Sequence, residues 1–271
     1  DKLENMFHGK FSESPNCDES IYAQKISQDI NVNMITADIK SKDFIENIRK
    51  IIYYLEFPVA GPGSFPQFIV SKLASENTKV ILGGQGGDEI FGGYVRYLIP
   101  YFEKCLNNAI DGNTKDLKKF LPNMKILKEY KPLISKFWNK EIFESLDKRF
   151  FHLLDRTDDL KSIINWDIIN KQKIYNKFIK KFNNSNIPEE DFFNKMLHFD
   201  LENSLPALLH VEDRVSMAWG LESRVPFINH EIIEFVAKIP ENIKINFGNM
   251  KYLLKKSYKD LLPDEILYRK D

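Results

Sequence analysis

The run Gly83-Gly84-Gln85-Gly86-Gly87-Asp88-Glu89 holds the residue types in this 271-residue chain that could most directly do chemistry. Lys79-Val80-Ile81-Leu82 just before it reads as a buried strand, and a helix is expected to begin near Asp88. Glycine permits positive φ and close approach of a ligand, so the backbone N–H groups of Gly83, Gly84 and Gly86 stand clear of side chains. The following helix adds unpaired N-terminal donors and a partial positive charge. This combination is an anion cradle. A plain tight turn is the alternative, although one or two glycines suffice for a turn. The run lacks the Lys-Ser/Thr ending of a P-loop and the spacing of the dinucleotide fingerprint, which excludes both motifs. Asp88 and Glu89 would repel a phosphate here unless a divalent cation such as magnesium lay between. Helix capping by Asp88 is the competing explanation.

The elements that must position this turn alternate between short apolar runs and helix-period segments, the pattern of an α/β fold with a parallel sheet and flanking helices. Met6 to Phe11 reads as a strand, followed by a helix from about Asp18 that buries Tyr22, Ile26 and Ile30. Asn33 to Ala37 is a second strand. The next helix carries Phe44, Ile48, Ile51, Ile52 and Leu55 on one face and stops at Phe57-Pro58, where proline forbids continuation. A loop over Ala60 to Ser64 leads to a third helix near Pro66 to Ser75. In open α/β sheets ligands sit at the carboxyl ends of strands, which is where the glycine run lies. Residues 111–186 carry helical spacing with almost no strand signals. The expected organisation is therefore a nucleotide-binding α/β part over residues 1–110 and a helical part over 111–271 that closes the active site. Phe137, Trp138, Phe143, Phe150, Phe151 and Leu154 fit helix packing better than a cofactor box. Lys177, Lys180 and Lys181 read as a solvated helix face.

Hydrophobic residues make up 43% and charged residues 29% of the chain, the balance of a globular protein with a sizeable core. The counts of Lys plus Arg and of Asp plus Glu are both 39, so no net field draws in nucleic acid or an anionic membrane. Cys17 and Cys105 are too few for a disulfide scaffold or a thiol metal site. No apolar stretch approaches the roughly 20 residues of a spanning helix, and Asp1-Lys2-Leu3-Glu4-Asn5 lacks a signal-peptide core, so the expected location is cytoplasmic.

Gly83 to Tyr94 resembles a motif of the asparagine synthetase family, whose usual pattern is S-G-E-G-x-D-E-x-F-G-G-Y. Leu209 to Phe227, containing Asp213-Arg214-Val215-Ser216-Met217-Ala218 and Glu222-Ser223-Arg224-Val225-Pro226-Phe227, is similar to the family's D-R-x-S-M-A-x-x-x-E-x-R-x-P-F segment. The tail from Asn249 to Lys270 resembles the family's C-terminal end. The resemblance covers nearly the whole chain and is weakest over residues 111–186.

The resemblance implies an adenine nucleotide alpha hydrolase-like synthetase domain that uses ATP and magnesium. Such a domain adenylates the side-chain carboxylate of aspartate, releases pyrophosphate, and lets ammonia displace AMP. The ammonia would come from a separate N-terminal glutaminase domain. Both that domain and the family's S-G-G-x-D-S-S loop are expected ahead of this chain, and the lysine-bearing loop just after it; Lys270 is not that lysine. As it stands, the fragment is expected to be inactive. Gly83, Gly84, Gly86 and Gly9 would contact the nucleotide, Gly9 facing adenine. Asp88 would lie near magnesium and pyrophosphate, with Asp18 a second metal candidate unless it only caps its helix.

Two departures bear on the substrate. Gln85 stands where the family usually has glutamate, removing a proton acceptor from the turn, and Glu89 lies too early in the helix to replace it without a different backbone path. Glu56-Phe57-Pro58 stands where Asp-Glu-Pro is common. For Arg224 the choice is between a clamp on a substrate carboxylate and, like Arg214, a buried ion pair fastening the helical part to the sheet. Tyr94 either lines the substrate pocket or packs, and His210 is structural. Gln85 keeps open a related amidotransferase acting on another carboxylate of surface-sugar or secondary-metabolite synthesis, and a non-catalytic nucleotide-binding module is the rival of another class. Oligomeric state is open, a homodimer being one option.

Overall fold

The computed structural model describes residues 4–59, 61–128, 130–139, 142–155, 157–160, 162–183 and 186–268. Asp1, Lys2 and Leu3, Ala60 of the anticipated loop, and Arg269 and Lys270 of the tail lie outside them. The chain divides into two units, each built from separate stretches of sequence.

The first unit comprises residues 1–86, 204–230 and 257–269. Strand β1 (Asn5–Lys10) pairs in parallel with β2 (Asn33–Asp38), from Asn5 opposite Asn33 to Lys10 opposite Asp38. The helix Ser20–Asp29 makes the crossover that a parallel pair requires. The helix Ser41–Leu55 is closed at its start by Asp43, whose carboxylate accepts from the Lys40 N–H at 2.8 Å, and at its end by Glu56 in the left-handed region, φ 55°. With the helices Ser64–Ser75 and Leu205–Met217 it encloses a core of Ile51, Leu55, Phe68, Val211 and Val215. The Trp219 indole seals that core, donating to the Phe68 carbonyl at 3.1 Å. His210 Nε2 lies 2.8 Å from the Leu55 carbonyl, a structural role at a helix end.

Several expectations need correcting here. The pairings are parallel as anticipated, but among the described residues they form two separate two-stranded ladders. The second ladder joins β3 (Val80–Leu82) to β4 (Glu222–Arg224), a strand that sequence patterning missed because Glu-Ser-Arg shows no apolar alternation. The first helix starts at Ser20, two residues later than read, and leaves Ile30 exposed just beyond its end. The apolar stripe of Ser41–Leu55 is narrower than expected: Phe44 and Ile52 are exposed, and Ile51 and Leu55 carry the burial.

The second unit, residues 87–203 and 231–256, is helical throughout its described elements. Its centre is aromatic: Tyr97, Phe120, Phe150 and Phe193 are fully buried. Phe137 is buried as well, while Trp138, Phe151 and Leu154 pack against this core. Phe143 departs from the packing expectation. It is exposed at φ 67°, where its backbone N–H turns to donate to the Glu103 carboxylate at 2.6 Å. Glu103 also holds the buried Arg149 guanidinium through Nε and Nη2, both at 3.0 Å. Lys177, Lys180 and Lys181 are exposed, as a solvated face should be.

The chain passes from the first unit to the second between Gly86 and Gly87, and not near residue 110 as the sequence reading has it. Helix Val95–Ile110 contributes Val95, Leu98 and Phe102 to the aromatic core, and the short helix Gly87–Phe91 packs against the helix Phe192–Asn203, which is why both belong with the helical part. Residues 204–230 return to the first unit through β4 and the helix Leu205–Met217. No helix among the described residues is long and apolar enough to cross a membrane.

Candidate active site

In the first unit the glycine turn begins at the carboxyl end of β3, where the Gly83 N–H donates to the Arg224 carbonyl at 2.7 Å and continues the ladder. A Cβ at Gly83 would meet Glu212 Oε1 at 3.3 Å and Ser223 Oγ at 3.5 Å, whereas one at Gly84 would meet nothing within 4 Å. Gly86 has φ +89°, a conformation that favours glycine. The turn therefore presents open backbone at Gly84 between two glycines with steric reasons of their own. Glu212 flanks it: Ser223 Oγ donates to Glu212 Oε1 at 2.6 Å, and Gln85 Nε2 donates to Glu212 Oε2 at 3.3 Å.

In the second unit the turn's continuation becomes the short helix Gly87–Phe91. Asp88 Oδ1 lies 2.8 Å from Lys251 Nζ. The pair rests against Gly93, where a Cβ would fall 1.8 Å from Asp88 Oδ1 and 2.2 Å from Lys251 Cε. Gly92, at φ +73°, has its own reason, since a Cβ there would strike the Phe193 ring at 2.4 Å. Glu89 points inward, 1% exposed, and accepts from the Tyr94 hydroxyl at 2.5 Å. Burial, then the Glu89 carboxylate, hold the Tyr94 phenol well above its ordinary range. Arg96 stacks on the Tyr94 ring at 3.7 Å and pairs with the buried Asp200 at 2.9 Å, which also accepts from the Tyr97 hydroxyl at 2.6 Å.

The remaining sequence-named residues lie in the first unit. A Cβ at Gly9 would meet Ile39 Cδ1 at 2.8 Å and Val70 Cγ2 at 3.1 Å, so a side chain there would require the Ile39 tip to shift. Asp18 Oδ1 accepts from the Ser20 N–H at 3.2 Å and hydroxyl at 2.6 Å, bonds that hold its carboxyl below the usual range. The buried ion pairs anticipated for the two arginines are not what forms. Arg224 Nε bonds Glu222 Oε1 at 2.8 Å with both side chains more than half exposed, and Arg214 reaches Glu56 at 3.4 Å, also toward solvent. Alternation along β4 directs the Arg224 guanidinium outward, whereas Arg214, near the end of the helix Leu205–Met217, is only partly exposed and keeps its Nε buried.

A family model for asparagine synthase matches residues 5–270. The chain belongs to the asparagine synthase family. It is 27% identical over 258 residues to asparagine synthetase (glutamine-hydrolyzing) 1 of Bacillus subtilis, a match covering 92% of this chain and 38% of that protein. It is 26% identical over 250 residues to a putative asparagine synthetase (glutamine-hydrolyzing) of Mycobacterium bovis, covering 89% of this chain and 36% of the relative. A shorter match, 33% over 95 residues, joins it to putative asparagine synthetase (glutamine-hydrolyzing) 2 of Methanocaldococcus jannaschii. The chain thus spans little more than a third of the first two relatives' length.

The family resemblance implies magnesium at Asp88, with Asp18 a second candidate. Among the described residues no group of three or more His, Cys, Asp or Glu side chains converges to cage a metal. Asp88, with a side chain 37% exposed, fits a cation held by one carboxylate, waters and phosphate oxygens, the usual style of a nucleotide-bound magnesium. Sequence reasoning missed Glu212 and Lys251 as site residues. Glu212 stands one residue before the Asp-Arg of a family segment, but only the β3–β4 pairing brings it to the glycine turn. Lys251, at φ 54°, carries no local signal beyond its place in the family-like tail.

Proposed function

We propose that this chain is the synthetase part of a glutamine-dependent asparagine synthetase acting in the cytoplasm, making asparagine, AMP and pyrophosphate from aspartate, ATP and ammonia. The observation that carries this reading is the open backbone at Gly84 directly after a parallel strand, beside the Glu212 carboxylate. An aspartate side-chain oxygen attacks the α-phosphorus of ATP, and the bond to pyrophosphate breaks as the new O–P bond forms. Ammonia then attacks the acyl carbon, AMP departs with the C–O electron pair, and the nitrogen gives up a proton to a base. Positioning and charge neutralisation supply most of the acceleration in such transfers.

Gly83, Gly84 and Gly86 would offer backbone N–H groups to the phosphates, and Gly9 a backbone edge to adenine. Asp88 would hold magnesium, which when bound neutralises triphosphate charge. Glu212 takes the place of the turn glutamate that Gln85 replaces: the Gln85 amide donates to it, so a carboxylate proton acceptor remains at the turn. Arg224, with its guanidinium exposed, is the candidate clamp for a substrate carboxylate. Glu89, buried and bonded to the Tyr94 hydroxyl, would anchor the helix that carries Asp88. The ammonia would come from glutamine hydrolysed by an N-terminal domain; the relatives' names say that those proteins hydrolyse glutamine.

Gln85 also favours a second reading, an amidotransferase of the same chemistry with another acid. Pyrophosphate exchange into ATP by the full-length protein decides. Aspartate-dependent exchange is expected. Exchange with a different carboxylic acid only would replace aspartate in this reading, and ATP binding with no exchange for any acid would leave a nucleotide-binding module.

A further inference from the structure

The second unit contains a cavity of about 380 Å³ that none of the site residues above lines. Much of its wall is aliphatic: Ile90, Ile187, Leu197, Leu201, Ile233 and Val236 face it, with Ala237 exposed at its edge. One wall carries a cation. Lys244 is 2% exposed, and among the described residues the one hydrogen bond of its ammonium runs to Asn194 Oδ1 at 2.5 Å. The nearest acid in the lining, Asp191, is occupied elsewhere, accepting from the Asn194 amide at 2.7 Å and backbone N–H at 3.3 Å. His198, also in the lining, leans toward Glu202 at 3.6 Å.

An ammonium with three donors, taken out of water and given one neutral acceptor, is costly unless an anion completes its shell. Burial pushes the Lys244 ammonium down to about 8, Asp191 opposing, which is the mark of a charge short of partners. A cleft of this volume, part aliphatic and part polar, with one under-partnered cation in its wall has the build of a small-ligand site. No Phe, Tyr or Trp stands in its described lining, and its one flat ring, His198, leans toward Glu202, so a flexible alkyl chain suits the aliphatic stretch of wall better than a ring does.

We propose that this cavity binds a small aliphatic monocarboxylate, its carboxylate on Lys244 and its alkyl chain among Ile90, Leu197, Leu201 and Val236. Ile90 lies on the helix that carries Asp88 and Glu89, so occupancy bears on that helix directly.

Octanoate is the probe, titrated into the 271-residue chain by calorimetry, with octanol and acetate as controls. Octanoate is expected to bind at least tenfold tighter than either control, acetate lacking the chain and octanol the charge. Lys244→Met should weaken octanoate at least tenfold and leave octanol unchanged. Ala237→Phe, an exposed substitution at the cavity edge, should weaken both and serves if Lys244→Met does not fold by circular dichroism. The Lys244 ¹³Cε resonance should titrate at higher pH with octanoate bound. Equal affinity for octanoate and octanol, no binding at millimolar octanoate, or octanoate binding indifferent to Ala237→Phe would each overturn the proposal. None of these readouts depends on ligase activity.

Discussion

The Gln85 amide donates to the Glu212 carboxylate at 3.3 Å across 127 residues of sequence, while Ser223 holds the other carboxylate oxygen at 2.6 Å. A neutral amide at position 85 is what this arrangement needs. Gln85→Glu would set two carboxylates against each other, raising the pKa of the pair in the folded state. Stability would then be intact at low pH and lost as pH rises through the raised value, by about 1 kcal/mol at pH 8. Urea unfolding at pH 4.5 and pH 8 checks this. Adding Glu212→Gln should remove the pH difference, and a single variant with equal deficits at both pH values would refute the charge argument.

Gly84 and Gly93 should respond oppositely to alanine. A Cβ at Gly84 meets nothing within 4 Å, so stability should stay within about 0.5 kcal/mol while ATP binding and pyrophosphate exchange fall, since the methyl enters the space assigned to phosphate. At Gly93 the Cβ would displace Asp88 and Lys251 from their 2.8 Å contact, costing roughly 1–3 kcal/mol. Thermal melts with exchange assays on both variants test the contrast; unimpaired exchange in Gly84→Ala would remove the cradle.

The division between what was legible and what was not follows the range of the interactions. Val80-Ile81-Leu82 before a glycine run signals a strand because burial and turn chemistry are both local, and β1 and β2 announce themselves the same way. Glu222-Ser223-Arg224 could not, since its strand character comes only from pairing with β3. Everything that depends on that pairing was hidden with it, Glu212 above all. Arg224 reads as a buried clamp or brace from its charged neighbours, but alternation on β4 sends it to solvent. Gly92 and Gly93, visible only as a motif, become intelligible once Phe193 and Lys251 are in place against them.

Glu103 and Arg149 form a buried ion pair in the second unit, 5% and 2% exposed, with the Phe143 N–H as a further donor to Glu103. Removing one partner strands the other in the aromatic core. Arg149→Met should cost about 3–5 kcal/mol, and Arg149→Met with Glu103→Leu should recover most of it, because an apolar pair leaves no buried charge. Denaturant unfolding of the single and double variants measures the coupling; additive losses would mean the pair is not the unit that matters.

The buried Lys244 gives stability a definite pH dependence. Its ammonium titrates near 8 in the fold, depressed by burial, against about 10.4 in an unfolded chain. Between these values the unfolded chain binds more protons, so this group's contribution to stability rises with pH across the window, by roughly 3 kcal/mol at its top. Below pH 8 both states hold the proton and the full cost of burial is present. Asp191 and His198 face the same cavity, and Glu241 lies on the lysine's own helix; only Asp191 raises the ammonium's pKa. Cys105 runs the other way, since burial pushes its thiol up to about 11 and stability is lost as the unfolded thiol ionises. The native profile alone therefore mixes two slopes. In a Cys105→Ala background the Lys244 rise should stand clear between pH 8 and 9.5 in urea unfolding, and Lys244→Met should flatten it. If the two profiles run parallel, Lys244 does not titrate in that window.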